Sequence, residues 1–176
     1  MLKKNILWLS VMIVLLLISA SVIYNQQNGK NLMVESLAGH SLTMILNSYD
    51  EILDSKTAIL SIDYIMDINQ KLARIEAYSD ILDRAVDRSS IRPIAESMLS
   101  ITKTIEKSYK RNNNSFTESD KEKYVTLLQE MSTLIPLMYK TYYVAGSTEG
   151  GKVTLKVAEQ QRITEIRDRL NQYTAK

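Results

Sequence analysis

The hydrophobic pattern of this chain has two parts: an uninterrupted apolar run near its start, and a long series of apolar positions at helical spacing after it. The run extends from Ile6 to Tyr24, nineteen residues without a charged side chain. Because a helix rises about 1.5 Å per residue, such a run covers the roughly 30 Å hydrocarbon core of a membrane. It predicts a membrane anchor, with Trp8 near one headgroup level and Tyr24 at the other.

Two interpretations of this run stay open: a permanent signal anchor and a cleaved signal peptide. Ser19-Ala20-Ser21 fits the small-x-small pattern of a cleavage site, but apolar residues continue beyond it to Tyr24, which favours the anchor. Lys3 and Lys4 precede the run, so the positive-inside rule keeps the N-terminus in the cytoplasm. Both interpretations therefore place residues 25–176 outside the cytoplasm. The protein stays attached to the cell membrane if the run is an anchor, and it is secreted if the run is cleaved.

The remaining chain divides into a short polar linker, residues 25–31 (NQQNGKN), and a helical domain, residues 32–176. Apolar residues recur at three- and four-residue steps throughout 32–88, a spacing typical of helices that bury one face. This segment forms either one very long helix or two helices joined near Asp54-Ser55-Lys56. A compact bundle needs a reversal of direction, which favours the break.

Turn and capping residues mark the starts of two later helices. The pair Ser89-Ser90 followed by Pro93 predicts a helix start, because proline's missing N–H is not needed in a first turn. Asn112 to Ser115 (NNNS) predicts a polar turn. Thr117 with Asp120 resembles a capping arrangement and predicts the start of the next helix.

The final part of the chain predicts a kink, a connection and one more helix. Pro136 lies inside a helical pattern and predicts a kink, since a mid-helix proline removes one hydrogen bond. Residues 146–151 (GSTEGG) predict a flexible connection, and a last helix is expected over about 153–173 with a Glu165–Arg169 pair. The predicted fold is all-α: an N-terminal transmembrane helix followed by an antiparallel bundle of four or five helices.

Composition excludes several classes of function. The chain has no cysteine, so it has no disulfide, thiolate metal site or lipid-modified cysteine. Lys3 and Lys4 account for the net charge of +2, which leaves residues 25–176 neutral, with 20 basic and 20 acidic side chains. A neutral domain gives no electrostatic reason to bind nucleic acid.

Few residues suggest chemistry. His40 is the only histidine, and the chain has no Glu-x-x-His pair of the kind that a di-iron bundle requires. Asp63 and Asp67 lie one helical turn apart and could hold a hard cation, but they are better explained as part of a solvated acidic helix face. No phosphate loop, zinc ligand set or nucleophile motif is present. The prediction is a non-enzymatic protein without metal or cofactor.

Tyrosine is the most unusual component, with ten tyrosines against one phenylalanine. Tyr139, Tyr142 and Tyr143 follow Pro136 closely. A kinked helix carrying three phenol groups could line a pocket for a small ligand between helices. Tyrosines at helical spacing also fill bundle cores with the hydroxyl at the edge, so packing is the competing explanation.

The layout, with a basic start, an anchor and about 150 helical residues, resembles the extracytoplasmic four-helix ligand-binding regions of bacterial chemoreceptors and sensor kinases. Those regions return through a second membrane span to a cytoplasmic signalling module, and residues 25–176 hold no second apolar run, so we expect the resemblance to stop at the helical region. The leading prediction is a membrane-anchored bundle that binds another membrane or envelope protein, or a second copy of itself. The alternative is a ligand-binding sensor-like bundle.

Overall fold

Five helices make up the regular secondary structure of the residues that the structure describes. The structure, a computed structural model, describes the backbone of residues 2–55, 60–144, 146–147 and 151–174, and before residue 26 it describes the side chains of 16, 19, 21, 23 and 24 alone. The helices are α1 (Leu2–Asp54), α2 (Ile62–Ala85), α3 (Arg92–Arg111), α4 (Glu118–Tyr142) and α5 (Gln160–Thr174). No strand occurs in the described ranges, which confirms the predicted all-helical bundle.

The chain forms two compact units, Met1–Ser36 and Leu37–Lys176. Residues 25–31, predicted as a linker, are helical and belong to α1. Extending an existing helix needs no new nucleus, so the cost of Gly29, about 1 kcal/mol relative to alanine, does not end it. The polar composition of this segment correctly indicated exposure to solvent, since residues 26–31 are exposed. It did not indicate a break in the helix.

The predicted membrane span gains no support from the helices described. Within the part of the chain whose side chains are described, no helix is long and apolar enough to cross a membrane. The side chains of Ile6 and Trp8 lie outside that part, whereas Tyr24 is described and is 66% exposed. The structure thus gives a helical backbone for residues 6–24, and their role as an anchor is a proposal.

In the second unit, α1 reverses into α2, which confirms the predicted break. The ring of His40 meets the ring of Tyr78 at 5.9 Å, and the hydroxyl of Tyr64 donates to the carbonyl of Ile52 at 2.6 Å. From the first of these contacts to the second, the residue number rises in α1 and falls in α2, so the two helices are antiparallel. Helix α2 begins at an N-cap, Ser61, which accepts a hydrogen bond from the N–H of Tyr64.

Helix α3 returns antiparallel to α2, and the contacts between them are polar at both ends. The guanidinium of Arg92 donates to Asp80 at 2.8 Å, and the amide of Asn69 donates to Glu106 at 3.0 Å. Helix α4 then turns back along α3 through a short connection. Ser108 donates to Asp120 across it at 2.8 Å.

Apolar burial, more than these polar contacts, stabilises the bundle. Full burial of one large apolar side chain contributes about 1.5–3 kcal/mol, whereas an exposed ion pair contributes up to about 1 kcal/mol. The largest side chains that are less than 2% exposed come from α1, α2, α4 and the position just before α3, and they include Tyr49, Tyr142, Leu42, Ile45, Leu46, Ile52, Ile65, Ile68, Leu72, Ile75, Leu82 and Ile91.

The start of α4 follows the prediction. Thr117 accepts a hydrogen bond from the N–H of Asp120, and the carboxylate of Asp120 accepts one from the N–H of Thr117, which makes a capping box. Before it, Asn113 and Asn114 form a turn with φ of 51° and 58°, a left-handed conformation that asparagine tolerates. Pro136 lies within α4, which continues to Tyr142. The kink stays a prediction.

The last helix is shorter than predicted. It begins at Gln160, because the chain before it pairs with the end of α4 instead: Val144 N–H donates to Lys152 at 3.0 Å, and Thr154 N–H donates to Tyr142 at 2.8 Å. Val153 is buried in this pairing, and a Cβ at Gly39 would lie 3.6 Å from its Cγ1. Tertiary contacts thus override the helical pattern here.

Candidate functional site

Two of the three predicted ligand-binding tyrosines come together at the end of α4. Tyr139 and Tyr143 lie one turn apart, and their rings stack with centroids 5.3 Å apart and planes 20° apart. With Lys140, Val144, Gly146 and Ser147 they line an open cleft of about 380 Å³, the tyrosine cleft. The cleft offers aromatic faces beside a lysine cation.

Tyr142 does not belong to the tyrosine cleft. Tyr142 is the last residue of α4, whereas Tyr143 follows the helix with an extended backbone, and of the two only Tyr143 lines the cleft. Tyr142 is only 1% exposed and lies near the carboxylate of Asp83. Burial, together with that negative charge, raises the pKa of Tyr142 well above its usual range. The side chain belongs to the core.

Asp83, near the end of α2, has a role that its local sequence does not predict. Its carboxylate accepts hydrogen bonds from the backbone N–H groups of Ser90 at 2.9 Å, Ile91 at 3.1 Å and Arg92 at 2.9 Å. These are the free N–H groups at the start of α3, so a residue of α2 caps the next helix. The prediction that Ser89-Ser90 supplies the cap was wrong: the N-cap position is Ile91, without a side-chain cap.

Two opposing effects act on the Asp83 carboxyl. The side chain is 6% exposed, and this burial raises its pKa, although the three N–H donors act in the other direction. Asp80, one turn earlier, has its pKa lowered by hydrogen bonds from Arg84 and Arg92. Because all of these groups are joined to helix ends or to one another, we assign them a structural role.

A second surface feature lies between α4 and α5. Two neighbouring clefts, of about 410 Å³ and 310 Å³, share Thr126 and Tyr173 and together form the α4–α5 groove. The residues lining the groove are Lys121, Glu122, Val125, Thr126, Gln129, Glu130, Thr133, Arg169, Gln172 and Tyr173. Val125 is 61% exposed and Tyr173 is 36% exposed. An apolar pair of this kind on a polar surface marks a candidate contact site.

One ion pair fixes how the two helices of the groove pack. Both nitrogens of the Arg169 fork donate to Glu130, at 2.6 Å and 2.7 Å, and Glu130 is buried. Such a two-point pair is directional, and it raises the pKa of Arg169 above its usual value. The guanidinium of Arg169 thus makes its direct ion pair with Glu130 of α4, whereas the predicted partner, Glu165, attracts it only through its charge.

The other candidate residues are not assembled into a site. His40 is exposed and packs edge-to-face on Tyr78. Asp67 pairs with Lys71 at 2.7 Å, and Asp63 lies in the first turn of α2. No group of three potential metal ligands occurs among the residues that the structure describes. Nothing in this geometry draws Asp63 and Asp67 to a common ion.

Comparison with known proteins adds no assignment. No protein-family model, no curated protein and no solved structure matches the chain. The resemblance to bacterial receptor regions therefore stays one of layout. The α4–α5 groove, the tyrosine cleft and the apolar run are the features of this chain that suggest a function.

Proposed function

We propose that this protein is a non-enzymatic, membrane-anchored interaction protein. The segment Ile6–Tyr24 would hold the bundle outside the cytoplasm, and the α4–α5 groove would bind another membrane or envelope protein, or a second copy. The observation that carries the interaction role is the exposed pair Val125 and Tyr173 in a groove between two helices. Interfaces favour aromatic and apolar side chains at their centre, with polar residues at the rim.

The anchor is supported by length and by charge. Nineteen uncharged residues are enough to span a bilayer, and Lys3 and Lys4 stand on the side that the positive-inside rule keeps in the cytoplasm. The helical backbone of α1 through this segment is also what a membrane requires, since every backbone group must be bonded internally.

The absence of cysteine allows a direct test of this topology. Single cysteines at Lys103, an exposed position of α3, and at Leu2 give two reporters for a membrane-impermeant thiol reagent. We expect labelling of K103C in intact cells and labelling of L2C only after permeabilisation. The reverse pattern would contradict the proposal. The intact mass of the membrane-bound protein distinguishes the anchor from a signal peptide, because cleavage removes residues 1–21.

The tyrosine cleft supports a second candidate function, binding of a small molecule. Its volume of about 380 Å³ falls within the range of ligand pockets, roughly 300–1,000 Å³. The half-buried ring of Tyr139 presents flat apolar surface, the ring of Tyr143, only 6% exposed, stacks against it, and Lys140 supplies a cation. An aromatic carboxylate suits both features.

Benzoate is a simple probe for this second function. If the cleft binds it, the melting temperature should rise with benzoate concentration by mass action. We expect Tyr139→Ala to weaken binding about 10-fold, since an aromatic pair contributes roughly 0.5–1.5 kcal/mol beyond its area. Tyr173→Ala removes a tyrosine from the other surface and is the matched control. Equal affinity of both variants for benzoate would remove the cleft as the site.

A further inference from the structure

We infer that the bundle binds internal water beside the Asp83 carboxylate, where three buried hydroxyl groups converge. The hydroxyls belong to Ser79, Ser90 and Tyr142. Water in this hydrated site would bond to the carboxylate and to the hydroxyls at the same time. The site lies in the interior, so it is separate from the α4–α5 groove, the tyrosine cleft and the apolar run.

The three hydroxyls are buried without a direct partner. Ser79, Ser90 and Tyr142 are at most 6% exposed, and none of their hydroxyls bonds to another group within the part of the chain that the structure describes. Buried polar groups in folded proteins are almost always hydrogen-bonded, because leaving one unpaired costs stability. The hydroxyls of Ser48 and Thr141 bond to the carbonyl four residues earlier in their helices. Ser79 does not, so its hydroxyl is available to a partner in the interior.

The hydroxyls come from three parts of the chain toward one carboxylate. Ser79 lies one turn before Asp83 on α2, and both side chains are buried, so they share a face of the helix. The N–H of Ser90, in the connection to α3, donates to Oδ2 of Asp83 at 2.9 Å. Tyr142, at the end of α4, is close enough for the charge of Asp83 to act on its phenol. A molecule placed between them would reach several of these groups.

The Asp83 carboxylate has room for one more donor. Oδ2 accepts from the N–H groups of Ser90, Ile91 and Arg92, whereas Oδ1 accepts only from Ile91, at 3.1 Å, in a bond that Oδ2 shares. A carboxylate oxygen has capacity for about two hydrogen bonds. Water can donate to Oδ1 and bond to two of the hydroxyls, which gives it the roughly three bonds typical of internal water. Such bridges satisfy groups that are not in direct contact.

Tyr49 provides a matched control for Tyr142. Its hydroxyl is also buried without a partner in the described ranges, but its raised pKa comes from burial alone, whereas the charge of Asp83 also acts on Tyr142. Tyr142→Phe removes a partner of the bound water, so we expect the melting temperature of the full chain in detergent to fall by about 3 °C. Tyr49→Phe removes an isolated hydroxyl and should keep or raise the melting temperature. If Tyr142→Phe behaves like Tyr49→Phe, its hydroxyl is dry and the hydrated site is overturned.

Relaxation dispersion of water oxygen nuclei tests the site directly. It detects water held inside a protein, and exchange of hydroxyl hydrogens does not contribute to it. We expect the dispersion amplitude of the full chain in detergent to fall by at least one water molecule in the double variant Ser79→Ala, Tyr142→Phe. Tyr49→Phe should keep the wild-type amplitude. An equal amplitude in the wild type and the double variant would also overturn the site. Neither measurement involves a partner, so failure here leaves the proposed function unaffected.

Discussion

Replacing Asp83 by alanine is expected to lower the free energy of unfolding by about 2–5 kcal/mol. The substitution leaves the N–H groups of Ser90, Ile91 and Arg92 without their acceptor at the start of α3. Loss of a side-chain cap costs about 0.5–2 kcal/mol, and each buried donor left unpaired costs about 1–3 kcal/mol. Denaturant unfolding followed by circular dichroism measures the change.

Two further variants show whether the cap causes this loss. In the native protein, Oδ2 of Asp83 accepts hydrogen bonds from all three N–H groups. Asp83→Asn keeps one acceptor oxygen that can take this position, so it should lower the free energy of unfolding by less than half as much as Asp83→Ala does. Glu76→Ala removes a carboxylate from the same helix and should change stability by about 0.5 kcal/mol or less. A loss for Asp83→Ala no larger than that for Glu76→Ala would show that α3 does not need this cap.

Raising the pH above 10 is expected to unfold the bundle in a steep cooperative transition. Burial raises the pKa of Tyr49, Tyr124 and Tyr142 above the ordinary value of 10.0. Between that value and the raised pKa, the unfolded chain loses these protons and the folded chain keeps them, so stability falls as pH rises. In this pH range, three such groups lower the free energy of unfolding by about 4 kcal/mol for each unit of pH.

Tyrosinate absorbance and circular dichroism should therefore change together in an alkaline titration. Tyr49→Phe removes a fully buried hydroxyl that has no hydrogen-bond partner in the described part of the bundle, and it should move the transition to higher pH. Tyr173→Phe changes a hydroxyl in the α4–α5 groove and serves as the control. Ionisation of all ten tyrosines at lower pH than the loss of helix would show that none is protected by folding.

The sequence predicted those elements of the fold whose signals are local. The capping box of Thr117 and Asp120 needs only residues three apart, and the break between α1 and α2 follows from the need to reverse. The cap of α3 was missed because its acceptor, Asp83, belongs to the preceding helix. Arg169 has carboxylates available on two helices, and only the packed structure shows that Glu130 is the one in reach.

The candidate site was predictable in part, for the same reason. Tyr139, Tyr142 and Tyr143 were grouped because all three follow Pro136 closely, and the structure brings the rings of Tyr139 and Tyr143 together. Tyr142 instead belongs to the core, which closeness in sequence does not predict. The α4–α5 groove had no sequence signal, since Val125 is one apolar residue among many and its exposure depends on how α4 and α5 pack.

The order of the helices also has a consequence for how quickly the bundle assembles. Within Leu37–Lys176, α1 packs on α2, α2 on α3, α3 on α4 and α4 on α5, so most partners are neighbours in sequence. Helix α5 also packs on α3, where the hydroxyl of Ser97 donates to Asn171 at 2.7 Å. Such low contact order is typical of helical proteins that fold in microseconds to milliseconds. Each hairpin can close as soon as its second helix is available, and Val153, which returns to Gly39, would be among the last contacts to form.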